Sequence, residues 1–323
     1  MKKLKSKEDT DKLSSLIIQK LKNQRGTVFS LMTAFCFATN SFFVKLVYRH
    51  STVNEHDLMY IRSFYGIIYF FILSLISSNS VLQIKREALS NLFFRMLFGF
   101  FGFMFVFYMY KILPLSIATV IFFTYPGFMS LCCFLFFKER LSFYDYLGMF
   151  ASFIGLCILI FNESSSTEQN EYSSWSLIIP LIAAIICALS DTYAKLVSKG
   201  HHFIIAPFYF SLSGLFASPL FILYRISNPY HEILNQNGLL YTFFVGFWSS
   251  AGQGFLTLAL IYEKGGRYAI LQYFNAVFSV MYDIVFLGKS FTLNEIIGSL
   301  IIIGSNFTLA FLRYTNLINE SKT

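Results

Sequence analysis

Lys45-Leu46-Val47 recurs as Lys195-Leu196-Val197, 150 residues further on, and the register holds outward from there. At the same offset Phe71-Ile72-Leu73 answers Phe221-Ile222-Leu223. Ala38 answers Ala188, Gly102 answers Gly252, Phe128 answers Phe278, Phe136 answers Phe286 and Gly148 answers Gly298. Single Phe matches carry little weight in a chain with 41 Phe. Two tripeptides and two glycines in one gapless register point to an internal duplication, the kind of weak symmetry that transporter folds show. Ser142-Phe-Tyr-Asp145 and Thr292-Leu-Asn-Glu295 add a second sign at the same offset. Both fit the helix-capping pattern, in which the hydroxyl and the acid bond back to the chain reciprocally.

The composition says what is duplicated. Of 323 residues, 56% are hydrophobic and only 13% charged. A soluble domain carries about twice that share of charge, so an ordinary cytosolic enzyme and a disordered chain are both excluded. Five cysteines, all in apolar runs, do not make a disulfide framework. A membrane helix needs about 20 mostly apolar residues. Such stretches run roughly 27–48, 58–77, 92–111, 115–137, 143–161, 176–198, 203–224, 239–262, 268–287 and 293–312. The expected fold is an all-α polytopic membrane protein of ten transmembrane helices. Each repeat holds five of them, an odd number, so the second must enter the membrane from the opposite side. Two inverted five-helix repeats follow, with any site near the midplane between them.

The chain then divides into a basic tail at 1–25, a first repeat at 26–161, a polar linker at 162–175, a second repeat at 176–312 and a tail at 313–323. The net charge of +8 lies mostly in the first 25 residues, where eight bases face three acids. The body is close to neutral and shows no basic patch for nucleic acid. With the N-terminus in the cytoplasm, eighteen bases fall on inner segments, counting Arg95 and Arg267 among them. Four, Arg49, Lys111, Arg225 and Lys289, fall outside. The positive-inside rule therefore puts both termini in the cytoplasm and the linker on the far side.

The run Ala118-Thr-Val-Ile-Phe-Phe-Thr-Tyr-Pro126, with Phe137-Lys-Glu-Arg-Leu-Ser142 and Gly148 after it, resembles the fourth-to-fifth helix signature of EamA-type transporters. These belong to the drug/metabolite transporter superfamily, with ten helices in two repeats. Arg62 also fits that family's pattern, and Leu258-Ala-Leu-Ile-Tyr-Glu-Lys-Gly-Gly266 is similar to solute carrier family 35, group G. The resemblance covers about 26–312. The second repeat departs from the first with Ala276 opposite Pro126, Lys289 opposite Glu139 and Leu212 opposite Arg62. The resemblance implies secondary-active transport of a small organic solute across the bilayer by alternating access. The alternative is a non-transporting receptor or assembly factor on the same fold, which a cavity plugged by Phe would favour.

Ionisable residues within spans are functional candidates by default. Lys45 and Lys195 are repeat mates, each about one turn from a span end, where snorkelling is the competing role. Arg62 is expected about one turn inside the second span, near the outer mouth, able to hold a carboxylate or phosphate. Asp191 precedes Lys195 by four residues, so the spacing predicts a pair along one helix; its other candidate role is coupling to protons. Asp283 is near a span end. Of the neutral candidates Asn40, Tyr125, Gln253, Gln272, Tyr273 and Asn275, we take Tyr125, Gln272 and Asn275 as cavity-shaping. Three bases against two acids within the spans predict an anionic solute. No metal-ligand spacing, nucleotide loop or catalytic constellation is present, so no enzyme, metal or cofactor is expected. The expected partners are a small solute and lipid; a homodimer and the identity of the membrane stay open.

Overall fold

A computed structural model describes residues 2–50, 53–113, 118, 121–160, 176–223, 236–287 and 292–314. Side chains are described from residue 25 onward, with exceptions near helix ends and at Asp283. The linker expected at 162–175, the end of the C-terminal tail, Arg225 and Lys289 lie outside the described residues.

The described chain is helical: α1 (Lys2–His50), α2 (Glu55–Ser77), α3 (Leu89–Ile112), α4 (Tyr125–Phe137), α5 (Phe143–Ile160), α6 (Ile178–Ser198), α7 (Ile205–Leu223), α8 (Gln236–Tyr262), α9 (Gly265–Leu271), α10 (Phe274–Leu287) and α11 (Leu293–Tyr314). Seven stretches are long and apolar enough to cross a membrane, α9 and α10 counting as one of them. With α4, α5 and α7 the described helices fit ten crossings. Polarity is inverted as lipid requires. Leu75, Ile76, Phe150, Leu300 and Phe307 face outward, while Ser30, Ser130, Ser249 and Thr257 are buried. Many of the buried hydroxyls bond back to their own helices, as Ser30 does by donating to the Gly26 carbonyl at 2.7 Å and Thr257 to the Gln253 carbonyl at 2.9 Å.

Both expected capping boxes form. Ser142 N donates to Asp145 Oδ2 at 3.0 Å and Asp145 N to Ser142 Oγ at 3.2 Å. Thr292 N donates to Glu295 Oε2 at 2.9 Å and Glu295 N to Thr292 Oγ1 at 3.3 Å.

Packing obeys the duplication. α1 lies along α8, and its repeat mate α6 lies along α3, the mate of α8. The mates α2 and α7 pack on each other, and so do α5 and α11. The last pair meets so closely that a Cβ on Gly298 would come within 2.5 Å of the Gly155 carbonyl. At the centre, repeat mates touch directly. Tyr273 Oη donates to the Phe123 carbonyl at 3.1 Å, and the two rings stack 5.5 Å apart. The pseudo-two-fold axis therefore passes between these residues.

Each mate sits at a helix break. The fourth crossing turns at Phe123–Thr124 before α4, and the ninth turns at Gln272–Tyr273 between α9 and α10. Pro126 occupies the first turn of α4, where its missing N–H costs nothing. The ninth crossing breaks with Ala276 in the matching position, so proline is not what breaks it. Tight i to i+3 bonds carry the chain through, as from Tyr273 N to Ile270 O at 3.2 Å and from Asn275 N to Gln272 O at 2.9 Å.

Inversion shows in where the paired lysines lie. Lys195 bonds the Glu263 carbonyl at 2.9 Å, and Gly26 at the start of the first span packs against Glu263. Lys45 is 19 residues further along α1, about 28 Å at helical rise. The two lysines therefore mark opposite ends of the bundle, called here the far face (Lys45) and the near face (Lys195).

Candidate functional site

A cavity of about 370 Å³ lies between the repeats. Its deep end is made by Tyr125, Asp191, Gln253 and Tyr268, and its far end by Lys45, Tyr48 and Glu295. Phe42, Phe103, Phe107 and Phe122 form much of the wall but do not fill the space. Both helix breaks border it through Phe123 and Gln272, the position where discontinuous helices serve other transporters.

Of the candidates read from sequence, Asn40, Lys45, Tyr125, Asp191, Gln253, Gln272 and Asn275 line this cavity. Lys45 is exposed at the mouth. Gln272 also donates to the Ser30 carbonyl at 3.2 Å, tying α1 to the break. Asn275 accepts from Ser279 at 3.4 Å. Arg62 and Lys195 are not among the lining residues.

The expected pair of Asp191 with Lys195 does not form; each finds a partner on another helix. Asp191 Oδ1 accepts from Arg95 Nη1 at 3.0 Å and Oδ2 from Tyr125 Oη at 2.7 Å. Arg95 also donates to Ser190 and, at 2.6 Å, to Gln253 Oε1. Because a guanidinium only donates, that bond fixes the orientation of the Gln253 amide. Arg95 is 1% exposed. It was counted as a flanking base, yet it is the central cation of the site. One turn beyond the expected start of its span, it carried the signal that any charge inside an apolar run carries.

Lys195 belongs instead to a near-face cluster. Its Nζ is 2.7 Å from Glu139 Oε1, and Gly265 N donates to Glu139 Oε2 at 3.0 Å. Arg267 reaches Asp145 Oδ2 at 3.4 Å and Glu263 Oε1 at 3.5 Å. Arg267 is 6% exposed, so it too is not the loop base it was counted as. These contacts tie the first repeat, through the α4–α5 connection, to α6, α8 and α9 of the second, across the end where the cavity stops.

Arg62 lies deeper than expected. It donates to Ser249, midway along α8, and to Met59 Sδ at 3.4 Å. Its guanidinium carbon sits 4.1 Å from the Phe103 ring centroid and 4.5 Å from that of Phe210. Arg95 sits 4.8 Å from the same Phe210 ring. That ring fits because residue 99 is glycine; a Cβ there would meet it at 2.6 Å.

A search against family descriptions matches the EamA-like transporter family twice, over residues 24–161 and 174–311. The chain belongs to the EamA-like transporter family. Human solute carrier family 35 member G1 is 24% identical over 298 residues, covering 90% of this chain and 80% of its own. The pseudopaline exporter CntI of Pseudomonas aeruginosa is 24% identical over 259 residues, 79% of this chain and 84% of its own. A solved crystal structure covers 91% of this chain with a TM-score of 0.75 at 16% identity, a likeness of fold. Membership makes the chain a multi-pass membrane transporter of small molecules, built as two inverted repeats.

Among the described residues no group of three or more His, Cys, Asp or Glu is placed to hold a metal ion. His201, in the connection after α6, takes a bond from Lys85 N at 3.1 Å on Nε2 and faces the Val197 carbonyl at 3.0 Å through Nδ1. The accepting Nε2 places the ring proton on Nδ1.

Proposed function

We propose that this protein is a secondary-active transporter that carries a small organic solute through the inter-repeat cavity by alternating access. The observation that carries this reading is the asymmetry of the cavity: it reaches the far end of the bundle and stops above the near-face ion pairs. A cavity between inverted repeats, shut at one end by contacts between them, is one of two mirror-related states. Rocking the repeats so that these pairs part and the far ends meet gives the other. With the near face in the cytoplasm, the state described is outward-open.

Lys45, Tyr125, Gln272 and Asn275 are the wall residues we assign to the solute, with Lys45 drawing an acidic group at the mouth. Lys195 acts as a gate residue instead. Asp191 is the coupling carboxylate in this reading: a proton there weakens its hold on Arg95 and Tyr125 and so loosens α3, α4 and α6 together. An acidic solute is favoured because three bases, Lys45, Arg62 and Arg95, stand in or beside the cavity against two carboxylates, Asp191 and Glu295.

Uptake by proteoliposomes carrying the purified protein, measured against a metabolite panel with and without an imposed pH gradient, tests this. Expected is saturable uptake of one class of organic acid. For Asp191→Asn, uptake should persist down a solute gradient but no longer respond to the pH gradient. No solute moving under any gradient would sink the transport reading and favour a receptor on the same fold.

A further inference from the structure

Arg62 is 3% exposed and lies two turns into α2, beside Ser249 of α8. Its partners are a hydroxyl, a thioether and two aromatic rings. Among the described residues no acidic side chain pairs with it; Asp191 is already engaged by Arg95. A buried guanidinium without a counter-ion is costly, and in hydrocarbon such residues mark functional sites. Cation–π contact with Phe103 and Phe210 offsets part of that cost but supplies no negative charge.

Phe103 is the one of these partners that also borders the cavity. It stands between the solute space and the guanidinium, 4.1 Å from the latter. It is only partly buried, so a χ1 change toward the cavity mouth has room to occur. The planar donor fork of Arg62 then faces the space with its bidentate geometry unspent.

We propose that Arg62 is a latent oxyanion subsite covered by Phe103: a carboxylate or phosphate of the solute displaces the ring and becomes the missing counter-ion. This rests on the cavity being the solute site, and it adds a second residue, Phe103, that sets specificity by making anion binding compete with a cation–π contact. An uncharged solute cannot repay the loss of that contact. The arrangement therefore discriminates acids from their amides more sharply than an exposed lysine at the mouth can.

Benzoate and its uncharged isostere benzamide are suitable probes, since the cavity wall is aromatic. Their binding to the purified full-length protein is read as a shift in melting temperature at constant ionic strength. Expected is stabilisation by benzoate and none by benzamide. Phe103→Ala should tighten benzoate by about tenfold, because the competing contact is gone. Arg62→Gln should weaken it at least about thirtyfold, and Arg62→Lys should recover part of that. If Arg62→Gln fails to fold, the Phe103→Ala arm still decides. Equal benzoate shifts in wild type and Arg62→Gln, no gain on Phe103→Ala, or no benzoate shift in any variant overturns the subsite. Benzoate binding that depends on Arg62 in a protein that moves no solute would leave the subsite standing and remove the transport reading. Robust uptake with an Arg62-independent KM would do the reverse.

Discussion

Arg95 and Arg62 meet at one aromatic ring, but only Arg95 has a carboxylate partner among the described residues. Arg95 has Asp191, Ser190 and Gln253 around it; its cost is covered in every state that keeps α3 against α6. Arg95→Met leaves Asp191 as a buried charge without a cation, so it should destabilise the protein by about 3–5 kcal/mol. Adding Asp191→Asn removes the stranded charge and should return most of that loss, in a thermal or denaturant melt of the micelle-bound protein. If the single and double variants melt alike, the pair contributes nothing to the fold. Asp191 was legible as a buried carboxylate, but its partner was not. Spacing along one helix favours Lys195 at i+4, whereas the shorter bonds come from α3 and α4, and no pattern within a single helix encodes which neighbour faces it. Arg62 shows the same limit. Its presence in a span was plain, but the antiparallel packing of α2 on α7 and its parallel packing on α8 put it beside Ser249 and not at the mouth.

The helix breaks and the near-face cluster are features of elements, and they work together. A break lets the two halves of a crossing tilt separately, while the cluster holds the near-face halves shut. Cys133 of α4 lies directly under this cluster: a Cβ on Gly265 would collide with its sulfur. It is 1% exposed and so reports whether the near face is open. Lys195→Glu places two acids together and should raise labelling of Cys133 by a membrane-impermeant maleimide from the near face by about tenfold or more. Restoring opposite charge with Glu139→Lys should bring the rate back down. Unchanged labelling in both variants, followed by mass spectrometry to separate Cys133 from Cys132, would show that the ion pairs are decoration on an already tight end. The capping boxes, span order and odd span count could all be read in advance because each depends on residues close in sequence. Pro126 stands just past one break, but no residue of that kind stands past the other. The second break is imposed by the axis contact of Tyr273 with Phe123, which only the assembled repeats create.

At the scale of the whole molecule, the two faces differ in exposed charge, and this gives the side of the membrane on which the cavity is expected to open. Removing Arg95 and Arg267 from the inner count leaves the exposed bases Lys85, Arg86, Lys138, Arg140 and Lys199 on the near face, with Lys45 and Arg49 exposed on the far face. The asymmetry therefore survives the correction, and the expectation from the positive-inside rule stays a cytoplasmic near face. The gates differ too. The repeat mates of Lys195, Glu263 and Asp145 are Lys45, Leu113 and Glu295. A far-face closure that mirrors the near-face one would have a leucine where the near face has Glu263. Closing the far face is accordingly the weaker of the two closures, and the outward-open state should predominate in the absence of solute. Sealed membrane vesicles of known sidedness give a direct check. A cysteine replacing Ser279, which lines the far half of the cavity, should react with an impermeant maleimide added outside. A cysteine replacing the exposed Ser80, in the connection between α2 and α3, should react only from the cytoplasmic side. Exterior labelling at Ser80 with protection at Ser279 would invert the orientation while leaving the repeats and the cavity as they are. Protection at both positions, with Cys133 labelled from the cytoplasm, would instead keep the orientation and make the inward-open state the resting one. The missing far-face acid would then not be what decides the balance.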